Sequence, residues 1–248
     1  LAVTQAGASA CTAISGPTTV VAAGGNFTWT ATCANTSAYV WTLDNQPTSC
    51  TTATCQLAIP ANTSQTAANH TVKVSPANAA TSVASLVFSQ TGVSACNSVS
   101  GPTTIGSPAS SQTYTASCAN TSSYVWTLDG VALPACTTIS CAVSFAANAV
   151  TTAVNHTVQV APANNAAATA SVAVAQAGAS VCTALSGPTN VSASANSQTY
   201  TATCANTSTF VWTLNGSPVP GCTGATCTIA FAANTATTTL AFTVGVAP

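Results

Sequence analysis

Apolar side chains in this chain recur at every second position over short runs. Tyr39, Trp41 and Leu43 fall on one face of such a run, with Val40 and Thr42 on the other. Leu57 with Ile59, Val143 with Phe145, and Ile229 with Phe231 keep the same spacing, and Thr30-Ala31-Thr32 and its copies sit in alternating Thr- and aromatic-rich stretches. A period of two belongs to the half-buried β-strand, whose successive side chains point to opposite faces. Gly-Pro, Asp-Gly, Asn-Gly and Pro-Ala-Asn steps punctuate the runs as turns. No stretch keeps the ~3.6-residue period long enough for a helix, so the pattern predicts an all-β protein.

The pattern occurs three times. Cys-Ala-Asn-Thr-Ser starts at Cys33, Cys118 and Cys204, Val-Trp-Thr-Leu at Val40, Val125 and Val211, and Ser-Gly-Pro-Thr at Ser15, Ser100 and Ser186, each step being 85 or 86 residues. The cysteines keep the step as Cys11, Cys96, Cys182; Cys33, Cys118, Cys204; Cys50, Cys136, Cys222; and Cys55, Cys141, Cys227. Each unit therefore carries its own four. About seven short strands per unit, with a Trp near the start of the third, suit a two-sheet sandwich. The expected division is a segment over residues 1–10, then domains over 11–95, 96–181 and 182–248.

Two stretches bear a family likeness. Tyr124-Val-Trp-Thr-Leu-Asp-Gly130 resembles strand C and the following turn of bacterial immunoglobulin-like surface repeats, and His156-Thr-Val-Gln-Val-Ala-Pro-Ala-Asn164 resembles their strand F and F–G turn. The resemblance covers all three units and implies three tandem immunoglobulin-like β-sandwiches. One departure is plain. The usual bridge joins strands B and F, but no Cys lies near His70-Thr71-Val72. Cys11 opens strand A and Cys33 closes strand B, so antiparallel A–B pairing would bring them together. Cys50 and Cys55 could close a tight loop before strand E. The expected bridges are Cys11–Cys33 and Cys50–Cys55 in each unit, with the other two connectivities per unit open.

Charge changes the picture most. Lys73, Asp44 and Asp129 are the only Lys, Arg, Asp or Glu residues in 248. Without a basic surface the chain has nothing to hold phosphates or anionic lipid, which argues against nucleic-acid partners and electrostatic membrane attachment. A net charge near zero leaves little repulsion between copies and favours association. Twelve Cys with no Cys-x-x-Cys pair read as a disulfide framework, and hence as an extracellular or cell-surface protein. No signal peptide is visible at Leu1, so the chain reads as a mature form. Apolar runs are broken by Thr, Ser or Asn well short of a membrane helix, so no membrane insertion is expected.

The two ends complement each other. Leu1-Ala-Val-Thr-Gln-Ala-Gly-Ala-Ser-Ala-Cys11 matches Leu86–Cys96 and Val172–Cys182, which read as the last strand (G) of the preceding unit. Unit three stops at Phe242-Thr-Val-Gly-Val-Ala-Pro248, where Pro248 aligns with Pro76 and Pro162 at the end of strand F. The leading expectation is head-to-tail strand donation, and the alternative is that the chain is a piece of a longer repeat protein. Leu1, Val3 and Gln5 form the donor strand, Phe242, Val244 and Val246 form the acceptor edge, and the polymer consists of copies of this chain.

Chemistry is sparse. His70 and His156 have Phe242 as their counterpart, so a packing or surface role on strand F is expected rather than catalysis. Asp44 and Asp129 have Asn215 as theirs, which marks a turn position. Lys73 reads as a solvated strand residue. No catalytic residue, metal site or cofactor is predicted, and the protein is expected not to be an enzyme. Asn35, Asn120 and Asn206 each open an Asn-x-Ser triplet in the B–C loop and are candidate glycosylation sites. The leading functional expectation is a structural subunit of an extracellular filament. The alternative is the stalk of a cell-surface adhesin.

Overall fold

The computed structural model describes residues 1–248, and every regular element in it is a β-strand. The first unit contains β1 (Ala10–Ser15), β2 (Thr19–Val20), β3 (Gly25–Ala34), β4 (Tyr39–Leu43), β5 (Gln46–Pro47), β6 (Thr54–Ile59), β7 (Ala68–Pro76) and β8 (Ala84–Gln90). One sheet has the order β1-β3-β6 and the other β2-β8-β7-β4-β5. These are strands A-B-E and A′-G-F-C-C′ of an immunoglobulin-like sandwich. All pairings are antiparallel except β2 with β8.

The second unit repeats the plan with β9 (Ala95–Ser100), β10 (Thr104–Ile105), β11 (Ser110–Ala119), β12 (Tyr124–Leu128), β13 (Val131–Ala132), β14 (Ser140–Phe145), β15 (Val154–Pro162) and β16 (Ala170–Gln176). Its sheets are β14-β11-β9 and β10-β16-β15-β12-β13. The third has β17 (Val181–Ser186), β18 (Asn196–Ala205), β19 (Val211–Leu214), β20 (Ser217–Pro218), β21 (Thr226–Phe231) and β22 (Val244–Ala247). Its first sheet, β17-β18-β21, is complete, but its second is only β20-β19-β22. Three immunoglobulin-like sandwiches thus stand in series.

Inward positions of the alternating strands make the cores. Trp29 on β3 and Trp41 on β4 are fully buried, as are Tyr114 and Trp126 in the second unit. A buried indole needs an acceptor for its N–H. Trp41 Nε1 donates to the Thr52 carbonyl at 2.9 Å, Trp126 to Thr138 at 2.9 Å and Trp212 to Gly224 at 2.9 Å. Each acceptor lies in the tight loop closed by Cys50–Cys55, Cys136–Cys141 or Cys222–Cys227. The small bridge therefore fixes the carbonyl that satisfies the core tryptophan. The other bridges are Cys11–Cys33, Cys96–Cys118 and Cys182–Cys204. They join register partners on neighbouring strands of one sheet, so the sandwich has no covalent link between its sheets. The aromatic side chain of strand B (Trp29, Tyr114 or Tyr200) fills the space instead.

Candidate functional site

Strand G closes the first two sandwiches. On β8, Phe88 is 1% exposed and packs at a tilt against Trp29 with ring centroids 4.9 Å apart. On the paired strand, Val72 and Val74 of β7 are fully buried, and so are their counterparts Val158 and Val160 on β15. In the third unit no strand of residues 1–248 pairs with the outer edge of β22, whose only partner is β19. The equivalents Val244 and Val246 are half-exposed. The core shrinks from 12 and 13 buried residues in the first two units to 6 in the third.

The third unit holds a cavity of about 590 Å³ lined by Val191, Tyr200, Phe231, Phe242 and Val244 among others. One residue expected on an acceptor edge lies off the strand. Phe242 is not on a strand, because β22 begins at Val244. Its ring instead packs edge-on against Phe231, with centroids 5.1 Å apart. Without strand G alongside, the first half of strand F has no ladder to hold it extended. Residues 1–9 form no strand either, and Leu1 and Val3 are 119% and 83% exposed.

A polar bracket ties strand G down in the first two units. Asp44 and Asp129 sit in left-handed turns with φ of 51° and 52°, a conformation Asp tolerates well. Asp44 Oδ1 accepts the Thr71 N–H at 2.8 Å, and its Oδ2 lies 2.7 Å from His70 Nδ1. His70 Nε2 lies 3.1 Å from Gln90 Oε1, and Gln90 Nε2 donates to the Pro60 carbonyl at 2.8 Å. Asp129, His156 and Gln176 repeat this at 2.7 and 3.0 Å, with Gln176 Nε2 donating to the Ala146 carbonyl at 2.8 Å. The sequence showed these residues singly and missed the bracket. Its signal was the recurrence of Asp, His and Gln at matched steps, lost together as Asn215 and Phe242. Lys73, read as a solvated strand residue, donates to Asn45 Oδ1 at 2.8 Å.

Both ring nitrogens of His156 face acceptors, so the doubly protonated ring is favoured. The hydrogen bond to Asp129 raises the His156 pKa against the opposing effect of burial. Burial alone would raise the Asp129 carboxyl, but bonds from His156 and the Thr157 N–H outweigh it and hold the carboxyl below its ordinary range. The raised His stabilises the fold fully below its unfolded pKa, about 6.5, and loses that contribution as pH rises through the folded value. The depressed Asp contributes above about 3.9 and loses that as pH falls through its folded value. The second sandwich is therefore expected to melt higher at about pH 5.5 than at pH 8. His156→Phe, matching Phe242 of unit three, should flatten that slope. A calorimetric pH series in which the variant keeps the wild-type slope would contradict the assignment.

Two of the three candidate glycosylation triplets take part in the joints between sandwiches. Asn120, with φ of 55°, donates its Nδ2 to the Gln65 carbonyl of the first unit at 2.7 Å and to the Val93 carbonyl at 2.9 Å. Asn206 does the same with Thr151 and Ala179, at 2.7 and 2.9 Å. Asn35 Nδ2 bonds only the Ala8 carbonyl, at 3.0 Å. A glycan on Nδ2 of Asn120 or Asn206 would replace one of its two N–H donors and so break one of these bonds.

No protein-family model matches the chain, and no curated protein does. Among solved structures, the chain is similar to the three-immunoglobulin I67–I69 segment of titin (an E-to-A variant), at 11% identity over 96% of each chain with a TM-score of 0.46. It is similar to the three N-terminal domains of the highly immunogenic outer capsid protein of bacteriophage RB49, at 19% identity over 86% of this chain and 78% of that one, TM-score 0.40. Immunoglobulin domains 1–5 of Sidekick-1 match at 10% identity over 84% and 49%, TM-score 0.37. The fold assignment rests on the strand order of the sheets.

Proposed function

We propose that the protein is a structural, non-catalytic subunit of an extracellular filament, in which residues 1–7 of one copy supply strand G to the third sandwich of the next. The observation that carries this is an edge and a segment of matching strand pattern, neither paired in a sheet within residues 1–248. Internally, Val158 pairs with Val172 and His156 with Val174. In the same register Leu1 would lie opposite Val244 and Val3 opposite Phe242. Val3 would then cover Tyr200 and Phe231. Gln5 corresponds to Gln90 and Gln176, whose amides bond the carbonyls of Ala22, Pro60, Ser107 and Ala146. The matching residues in unit three, Ala193 and Ala232, line the cavity. A contact of this kind uses different surfaces on the two copies and does not close, so it propagates. Six disulfides support an extracytoplasmic setting.

The test uses a chain without residues 1–7 and a synthetic peptide of residues 1–9. The truncated chain is expected to stay monomeric in sedimentation and to show no fibres by negative stain. Adding the peptide should raise the melting temperature of the third sandwich alone. Fibres that persist after truncation, or a third sandwich whose melting ignores the peptide, would sink strand donation and leave the stalk reading.

A further inference from the structure

We infer that the joint between copies is the joint already built twice inside the chain, with Asn35 of one copy taking the Thr237 carbonyl of its neighbour and Gly7 lying between them. This rests on the strand-donation reading and adds a fixed domain-to-domain geometry to it.

Each internal joint has three parts. An asparagine after strand B (Asn120 or Asn206) reaches back to a loop carbonyl of the preceding sandwich (Gln65 or Thr151). The linker hydrogen-bonds the same loop, from Val93 N–H to the Ser64 carbonyl at 2.8 Å and from Ala179 N–H to the Val150 carbonyl at 2.7 Å. A glycine passes through the contact. A Cβ on Gly92 would collide with the Gln65 carbonyl and lie 2.8 Å from Asn120 Nδ2, and one on Gly178 would meet Thr151 and Asn206 in the same way. Only glycine fits there.

Both halves of a third joint are present, apart from each other. Gly7 faces Asn35 Nδ2 alone, at 2.8 Å from where a Cβ would stand, with no carbonyl opposite. At the other end the loop is already shaped. Asn234 N–H donates to the Ala193 carbonyl at 2.8 Å, its Nδ2 to the Thr238 carbonyl at 2.9 Å, and its Oδ1 accepts the Ala236 N–H at 3.0 Å. Asn62 and Asn148 make the same bonds at 2.7 to 3.1 Å. Thr237 is thereby held where Gln65 and Thr151 are. The side chains agree too. Ala6-Gly-Ala-Ser9 is identical to Ala177-Gly-Ala-Ser180 of the second joint, and Thr12 and Thr237 correspond to Thr183 and Thr151. The first joint differs, with Gln65 and Asn97 bonded to each other at 2.8 Å. The contact between copies is a repeat of the second internal joint.

Two expectations follow. Cryo-electron microscopy of wild-type fibres should show the same rise and rotation at the joint between copies as at the second internal joint. Gly7→Ala in the full chain should raise the dissociation constant between copies about tenfold, as loss of one well-made hydrogen bond would. The melting of the unassociated chain should stay unchanged, because the new methyl meets only a movable side chain there. Asn35→Asp, which keeps the size and suits the φ of 56°, should weaken association similarly by placing an acceptor against the Thr237 carbonyl. Wild-type fibres with a different rotation between copies, or variants that associate like wild type, would overturn the joint while leaving strand donation standing. A wild-type chain that never associates would overturn both.

Discussion

Val3→Asp is expected to hold the chain as monomers and so to prevent the proposed polymer. In the donated register Val3 takes the place of Phe88 and Val174, which are 1% and 0% exposed. A carboxylate there would be buried against Tyr200 and Phe231 with no Lys or Arg side chain to pair with, since Lys73 is the sole one. Burying an unpaired charge costs several kcal/mol, so association should fall by more than about a thousandfold. In the single copy Val3 is solvent-exposed, so the three sandwiches should melt as before. Sedimentation equilibrium with parallel calorimetry reads both effects. Fibres of normal length from this variant would be incompatible with Val3 facing a core.

Full reduction of the disulfides is expected to lower the melting temperature of the sandwiches by more than about 20 °C. The Cys11–Cys33 class spans 22 residues and the Cys50–Cys55 class 5. The chain-entropy account gives about 3 and 2 kcal/mol respectively, a large part of the stability of a domain this size. Reduction should also free the loop carbonyl over Trp41, Trp126 and Trp212, so tryptophan fluorescence should respond early in the transition. Melting that is unmoved after complete reduction, verified by mass, would contradict a stapling role.

The parts legible in the sequence are those written in local period and repeat. Strand alternation around Trp41, the matched steps of Cys, and the strand-G likeness of residues 1–7 all follow from residues read in order. The A–B bridge was readable because an antiparallel pair places Cys11 beside Cys33, and the structure makes them register partners. What stayed hidden depends on contacts between distant residues. The Asn120–Gln65 bond spans 55 positions, and nothing local tells such an asparagine from a loop residue open to glycan. The Asp44–His70–Gln90 bracket likewise joins three strand ends. Phe242 looked like a strand residue because His70 and His156 are. Only the missing neighbour explains why it is not one.

The bridges between strands A and B stand immediately after each joint, at Cys11, Cys96 and Cys182. Were a fibre stretched end to end, tension entering a sandwich through its linker would pass at Cys11 straight to Cys33. Strand A could not be peeled away, and the chain between the two cysteines, a sequence separation of 22, would add nothing to the length released when that sandwich gives way. At about 3.3 Å per extended residue, each covalent shortcut withholds roughly 70 Å of slack.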